Sequence, residues 1–389
     1  MFYTKQQRDI IDMMLPEGAR YHAFLDSFGA FCEKEIRPNA KKIDQEEIFP
    51  ADNIAGVAAR GIFKLPFPME YDGEEFPFPV YVAALEMLAK ACANTALHVS
   101  IQGMICEGIR LFGSEGLRGR FLIDKGLVSG KSLIAFALTE PCCGSDAGGI
   151  RTTAVLSGDN YVLNGSKMLI TNPSEAAFAL VFAKTGKGIS AFIVSAETPG
   201  FHVMNTIPKL GFRGNMLAAI QFKDCVVPRE DLLGEEGRGL EYAKQILNSG
   251  RMTIAAIGVG IAQAAFEKSL EYSKHRNAFG ESISNFQLVQ CKLSDMATEI
   301  SAARLLTYYC AFLKFRGKEI ALQASEAKLF SSEMALRVCD NAIQVHGGYG
   351  YIDAYDVHRH WRDARLLTIG EGTSDMLRLL IAHLSLKDG

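Results

Sequence analysis

The segment Gly370-Glu371-Gly372-Thr373-Ser374-Asp375 puts one carboxylate between two glycines, directly ahead of an apolar stretch with Met376, Leu377, Leu379, Leu380 and Ile381. Gly370 and Gly372 allow a sharp turn and a close approach of backbone to ligand. Thr373 or Ser374 serves as N-cap of the helix after it. A glutamate desolvated in such a place has a raised pKa and can act as a base. The same residues also suit a solvated Glu in a surface loop. Which reading holds depends on what the other elements place around it.

The chain has 389 residues, 48% of them hydrophobic and 22% charged, so it can bury a large core in one unit or in two or three domains. A net charge of −3 provides no basic field for nucleic acid. No apolar run is long enough to span a bilayer. The N-terminus, with Lys5, Arg8 and Asp9, lacks a signal-peptide core and is too acidic for a transit peptide. The nine cysteines are scattered, with Cys142-Cys143 the sole adjacent pair and no CxxC spacing. A reducing compartment is expected, and with it a cytoplasmic location. Cys142-Cys143 is expected to be a pair of tolerated small side chains, and no metal site is assigned.

Three textures succeed one another. Residues 1–130 are expected to be helical: Phe24, Phe28, Phe31 and Cys32 recur at helical spacing, Pro38 interrupts, and a second apolar helix covers Val80 to Ala93. Residues 131–237 are expected to be β-rich. Leu133 to Leu138, Thr152 to Leu156, Tyr161 to Leu163, Lys167 to Thr171, Phe178 to Ala183, Ile189 to Ser195 and Ala218 to Phe222 are strands, with turns at Gly158-Asp159-Asn160 and Asn164-Gly165. Residues 238–389 are expected to form an up-down helical bundle, with long periodic segments over 240–275, 285–315 and 319–345 before the final helix. Gly258-Val259-Gly260 lies in an apolar helix without the strand that a dinucleotide fingerprint needs, so close helix packing is its expected use.

Four segments, in order, resemble the acyl-CoA dehydrogenase family. Ala137-Leu138-Thr139-Glu140-Pro141-Cys142-Cys143-Gly144-Ser145-Asp146 is similar to its first signature. Asn164-Gly165-Ser166-Lys167-Met168-Leu169-Ile170-Thr171-Asn172 resembles a flavin-contacting strand. Arg276-Asn277-Ala278-Phe279-Gly280 with Phe286-Gln287 resembles the element at the FAD phosphates. Gln344-Val345-His346-Gly347-Gly348-Tyr349-Gly350, Arg362-Asp363-Ala364-Arg365 and Glu371-Gly372-Thr373 resemble the C-terminal signature. The resemblance implies an α+β fold: an N-terminal helical domain, a middle antiparallel β-barrel or sandwich, and a C-terminal four-helix bundle. It implies FAD as cofactor, α,β-dehydrogenation of an acyl-CoA thioester, an electron-transferring flavoprotein as redox partner and a homotetramer or dimer that shares its FAD sites.

It also implies roles. Glu371 matches the base that takes the α-proton, and its backbone N–H matches a donor to the thioester carbonyl. Members with a base elsewhere carry it where this chain has Gly250, which has no acidic group. Arg251 beside it is expected near Glu371, though it also suits a solvated helix position. Thr139 and Thr171 match residues that hydrogen-bond the flavin ring; strand propensity alone would also place threonines there. Phe136, Leu138 and Gly144 lie along the same signature, with Ser145 near the thioester or CoA arm and Asn248 at the CoA end. Arg276 matches a pyrophosphate partner, joined by Phe279 and Gln287; a guanidinium fork suits a diphosphate. Gln344, Gly347 and Gly348 match positions reaching a neighbouring subunit's FAD, although two glycines also stop a helix. Thr373 and Asp375 match FAD contacts.

Two departures bear on specificity. Leu169 stands where an aromatic residue is common, and Gly370 where Tyr is frequent; the missing wall at Gly370, next to Gly372, predicts a pocket for a branched, cyclic or aromatic acyl group. The same base and flavin also serve an enoyl-CoA reductase running in reverse, and the fold is used with acyl carrier proteins and by oxidases. A non-catalytic helical scaffold is the reading from another class.

Overall fold

The computed structural model describes residues 2–387. Helices α1 (Lys5–Met14), α2 (Ala19–Phe31), α3 (Ala40–Glu46), α4 (Ala51–Ala59), α5 (Phe78–Ala91), α6 (Ala93–Phe112) and α7 (Glu115–Arg118) come first. α2 does not stop cleanly before Pro38: it loosens into a π-turn over Cys32–Ile36 and a tight turn over Arg37–Asn39, which absorbs the missing proline N–H. α5 is buried along nearly its whole length, so it is apolar all round rather than striped.

The middle of the chain holds β1 (Ile134–Ala137), β2 (Thr153–Ser157), β3 (Asn160–Thr171), β4 (Phe178–Thr185), β5 (Gly188–Ser195), β6 (Phe201–Val203) and β7 (Leu217–Pro228). They form one sheet in the order β1-β4-β2-β3-β7-β6, with β5 paired to β4. Most pairings are antiparallel, but β1 runs parallel to β4, and β2 touches β4 in parallel at Thr153 and Lys184, so the sheet is mixed. The expected turn at Asn164-Gly165 is instead a bulge inside one continuous strand β3, where the pairing to β7 shifts. Gly165 takes φ +146°, and a Cβ there would come 2.6 Å from Thr152 Oγ1. The Asn164 amide locks the bulge, donating to Asp224 Oδ1 at 3.1 Å while its oxygen accepts from Asp224 N at 2.9 Å. A second shift between Lys167 and Ile170 leaves Leu169 exposed at φ +57°.

α8 (Gly239–His275) opens the C-terminal part; the small hairpin β8 (Asn277–Ala278) and β9 (Glu281–Ser282) comes next, then α9 (Gln287–Phe315), α10 (Ala321–His346), α11 (Val357–Leu367) and α12 (Ser374–Ser385). α8 is the spine, packed on α10, α9, α11 and on α5 and α6 of the first part. Close approach depends on glycine: a Cβ on Gly260 would sit 2.3 Å from Glu86 O, and one on Gly258 3.1 Å from Ser331 O. A buried ion pair ties the parts together, with the Arg304 guanidinium donating to Glu86 Oε1 at 2.7 Å and the Tyr308 hydroxyl to Glu86 Oε2 at 3.1 Å. Gln7 of α1 donates to that hydroxyl at 3.2 Å. No helix among the described residues is long and apolar enough to cross a membrane.

Candidate active site

Glu371 lies in the turn between α11 and α12. α11 ends where Ile369 N and Gly370 N both donate to Leu366 O at 2.9 Å, and α12 begins where the Thr373 hydroxyl accepts from Met376 N at 3.3 Å. Ser374 N reaches back to Thr368 O at 3.0 Å, which closes the turn. Glu371 at φ +54° and Gly372 at φ +103° are both left-handed. For a glutamate this conformation costs on the order of 1–3 kcal/mol and persists only where the surroundings impose it.

Two cations from different helices impose it. Arg251 of α8 donates from Nε to Glu371 O at 3.3 Å and from Nη1 to Asn248 Oδ1 at 2.9 Å. Lys328 of α10 donates from Nζ to Gly372 O at 2.5 Å. Neither forms an ion pair with the carboxylate, and Glu371 Oε2 is buried with no hydrogen-bond partner among the described residues. Burial pushes the Glu371 carboxyl up to about 7, and the fields of Lys328 and Arg251 only partly oppose this. Burial lowers Lys328 to about 8, opposed by Glu371. Gly250 lies directly under the carboxylate: a Cβ there would meet Glu371 Oε2 at 2.3 Å and Met104 Sδ at 2.7 Å. Beyond Met104 a void of about 10 Å³ is bounded by Tyr81, Gly103, Glu107, Ser249 and Lys314. Its far wall is charged, since Lys314 Nζ donates to Glu107 Oε1 at 3.2 Å and to Ser249 Oγ at 3.1 Å.

A second group of residues frames the β-rich part. Thr139 is half-buried, and its carbonyl accepts from Met168 N at 2.9 Å. Buried Lys167 donates to Leu138 O at 3.1 Å and to Glu140 Oε1 at 2.8 Å. Glu140 also accepts from Thr152 N at 3.0 Å and Arg151 N at 2.5 Å. Burial alone would raise this carboxyl, but the bonds from Lys167, Thr152 and Arg151 outweigh it and hold it at about 2. Cys142 and Cys143, with sulfurs 3.7 Å apart, lie beside Glu140, whose oxygens are already engaged by Lys167 and backbone N–H groups. Thr171 ends β3 where Asn172 N donates to Met216 O at 2.7 Å and the Asn172 amide meets His98 Nε2 at 2.7 Å. Phe136 packs on Phe182, with ring centroids 5.2 Å apart.

A third group lines an open cavity of about 470 Å³ built from Tyr272, Arg276, His346, Gly347, Gly348 and Tyr349. Among the described residues Arg276 has no acidic partner; its guanidinium lies over the Tyr349 ring, 5.4 Å from the centroid. Cβ atoms on Gly347 or Gly348 would meet nothing within 4 Å. An unpaired guanidinium facing a glycine wall is the donor set that a diphosphate needs, so these residues fit an FAD pyrophosphate.

Models of this family match along the chain: the acyl-CoA dehydrogenase N-terminal domain over residues 19–131, the middle domain over 135–225 and the C-terminal domain over 237–386. The chain belongs to the acyl-CoA dehydrogenase family. It is 44% identical to a probable acyl-CoA dehydrogenase of Bacillus subtilis over 92% of this chain and 95% of that one. It is 40% identical to the human mitochondrial short-chain specific acyl-CoA dehydrogenase, over 95% of this chain and 90% of that one. The solved butyryl-CoA dehydrogenase of Megasphaera elsdenii superposes with a TM-score of 0.91 at 37% identity, covering 98% of each chain.

Within this acyl-CoA dehydrogenase the expected site residues fall into separate groups. Glu371, Arg251, Asn248, Gly372 and Thr373 converge on one turn, and Arg276, Gly347 and Gly348 on one cavity. Gly144 and Ser145 are exposed on the loop after β1, and Leu169 is exposed on its bulge. Gln287, Gln344 and Asp375 are exposed, and Phe279, at 98% exposure, stands clear of the cavity. Lys328 was not among the expected residues. Its signal is a lysine on the small-residue stripe Ala324, Ala327, Ser331 and Ala335 of α10.

Proposed function

We propose that this enzyme removes the α-proton of an acyl-CoA with Glu371 and passes the β-hydrogen to FAD. What carries the proposal is the Glu371 carboxylate: buried, raised to about 7, and with Oε2 free of any partner among the described residues. A base that must meet a carbon acid needs this free lone pair, and a pKa near the working pH suits it to the transfer. Thr139, Thr171, Phe136, Leu138 and Leu169 would face the flavin, with Gly144 and Ser145 on the adjoining loop and Thr373 and Asp375 at the head of α12. Arg276, with Phe279, Gln287, Gln344, Gly347 and Gly348 near it, would hold the diphosphate of its own or a neighbouring chain's FAD. Bound FAD supplies the acceptor for the β-hydride. The Glu371 N–H would donate to the thioester carbonyl, where charge develops in the transition state.

The acyl group in this proposal is short. Met104 and Glu371 both crowd Gly250, and the void on the far side of Met104 measures about 10 Å³ and carries the Glu107–Lys314 ion pair in its wall. An apolar chain driven there would desolvate charged groups. Width is another matter: a Cβ at Gly370 would have Leu366 as its nearest neighbour, at 3.7 Å, so the position is not crowded and a compact branched acyl group would have room beside it. Asn248 and Arg251 would lie toward the CoA side. Exposed Phe279, Leu288 and Tyr351 suit burial in a homotetramer, and nine free cysteines suit the cytoplasm. An electron-transferring flavoprotein would take the electrons. Domains at 1–130, 131–237 and 238–389 belong to the same proposal.

The test is an anaerobic titration of the flavin band with butyryl-, isobutyryl-, octanoyl-, cyclohexanoyl- and benzylic acyl-CoAs. Bleaching by the short members, lost in Glu371→Gln, is expected. A flavin bleached by none of them but reoxidised by enoyl-CoA would reverse the direction, and a protein that binds no flavin would end the proposal.

A further inference from the structure

We propose that Lys328 is a positioning residue for the base, holding the Glu371 turn through the Gly372 carbonyl while lending it positive charge without occupying its oxygens. This rests on Glu371 being the base. Lys328 is fully buried on a stripe of α10 otherwise made of small residues, and among the described residues its ammonium donates one hydrogen bond, to Gly372 O at 2.5 Å. A buried ammonium needs a partner of this kind. The obvious partner, the Glu371 carboxylate, lies beyond the 4.0 Å reach of an ion pair, and Oε2 is left unbonded.

The arrangement solves a conflict. A direct salt bridge would stabilise the carboxylate but use the lone pair that must take the proton, and would pull its pKa far down. A cation held on the next backbone carbonyl acts only through its field. Arg251 does the same from α8, bonding Glu371 O rather than the side chain. Once the α-proton has moved from carbon to Glu371 Oε2, the carboxyl is neutral, and two cations remain beside the negative charge left on the thioester. Among the described residues few other charges face this cluster. Glu333 of α10 is drawn off by Arg378 of α12 at 2.6 Å, Asp375 is exposed and lies 3.8 Å from Arg378, and Arg365 of α11 donates to the Thr368 hydroxyl.

The experiment tracks the rate of flavin bleaching by butyryl-CoA in the holoenzyme from pH 5.5 to 9.5, for wild type, Lys328→Met, Lys328→Gln and Glu371→Gln, with flavin content and Tm alongside. In Lys328→Met the acid limb should move up by about one pH unit, so that the rate well below the limb falls by about tenfold. Above about pH 8 wild-type Lys328 itself loses its charge, and the gap should narrow to whatever the lost tether costs. Lys328→Gln can still donate to Gly372 O, so it should show the same limb shift with a smaller loss at high pH. If Lys328→Met folds poorly, Lys328→Gln decides alone. A folded, flavin-loaded variant whose acid limb stays at the wild-type position overturns the proposal. Bleaching that survives in Glu371→Gln overturns the reading of the base instead, a distinguishable failure.

Discussion

Gly250→Ala tests whether Glu371, the proposed base, is held over Gly250. The methyl group would fall 2.3 Å from Glu371 Oε2 and 2.7 Å from Met104 Sδ, both under any real contact distance. Restoring ordinary van der Waals separation requires the carboxylate to withdraw by about 1 Å, and a misplacement of that size can lower a rate by about a hundredfold. The left-handed backbone of Glu371 is held by Arg251 and Lys328 on successive carbonyls, so the carboxylate yields through its side-chain torsions and leaves its place over Gly250 while the turn stays folded. In the interior of α8, alanine is favoured over glycine by up to about 1 kcal/mol, which offsets part of the clash. The expected variant therefore keeps its Tm within a few degrees and its full flavin content, yet is bleached by butyryl-CoA about a hundredfold more slowly in single-turnover measurements. A loaded Gly250→Ala enzyme that is reduced at close to the wild-type rate would refute the reasoning: either the carboxylate is not over Gly250, or another group takes the proton.

The raised Glu371 carboxyl carries a stability cost whose sign is fixed. A carboxyl moved from 4.5 to about 7 by folding binds protons more tightly in the native state, so stability falls as pH rises from about 4.5 to about 7 and the full cost stays above that. Glu371→Gln should accordingly raise Tm at pH 8 and leave it little changed at pH 4.5, as read by calorimetry at the two pH values. Arg304→Met would leave Glu86 buried with only the Tyr308 hydroxyl for company, and should lower the unfolding free energy by about 3–5 kcal/mol in urea titrations. Adding Glu86→Leu should recover most of that loss.

Periodicity was enough to announce the helix, sheet, helix order, because helical stripes and strand alternation are local properties of a chain. It determined α8, α9 and α10 nearly to their ends, since long apolar periods have no other use. The C-terminal Gly-Glu-Gly turn was legible too, because two glycines beside an acid and a Thr cap leave few conformations. Long-range pairing was not. Asn164-Gly165 carries a turn signal, and only Asp224 and Thr152, far away in sequence, make it a bulge within β3. The parallel pairing of β1 with β4 and the helix α11, with its charged residues, likewise come from tertiary contacts that outweigh local preference. The site divides in the same way. Glu371 is visible as a residue type in a suggestive spacing, but its free Oε2 and raised pKa depend on burial, which no short stretch encodes. Lys328 lies 43 residues before Glu371 and is silent in sequence except as a charge on an apolar stripe. Its meaning arises only when α8, α10 and the α11–α12 turn meet, because electrostatic action is set by distance in space and by the exclusion of water.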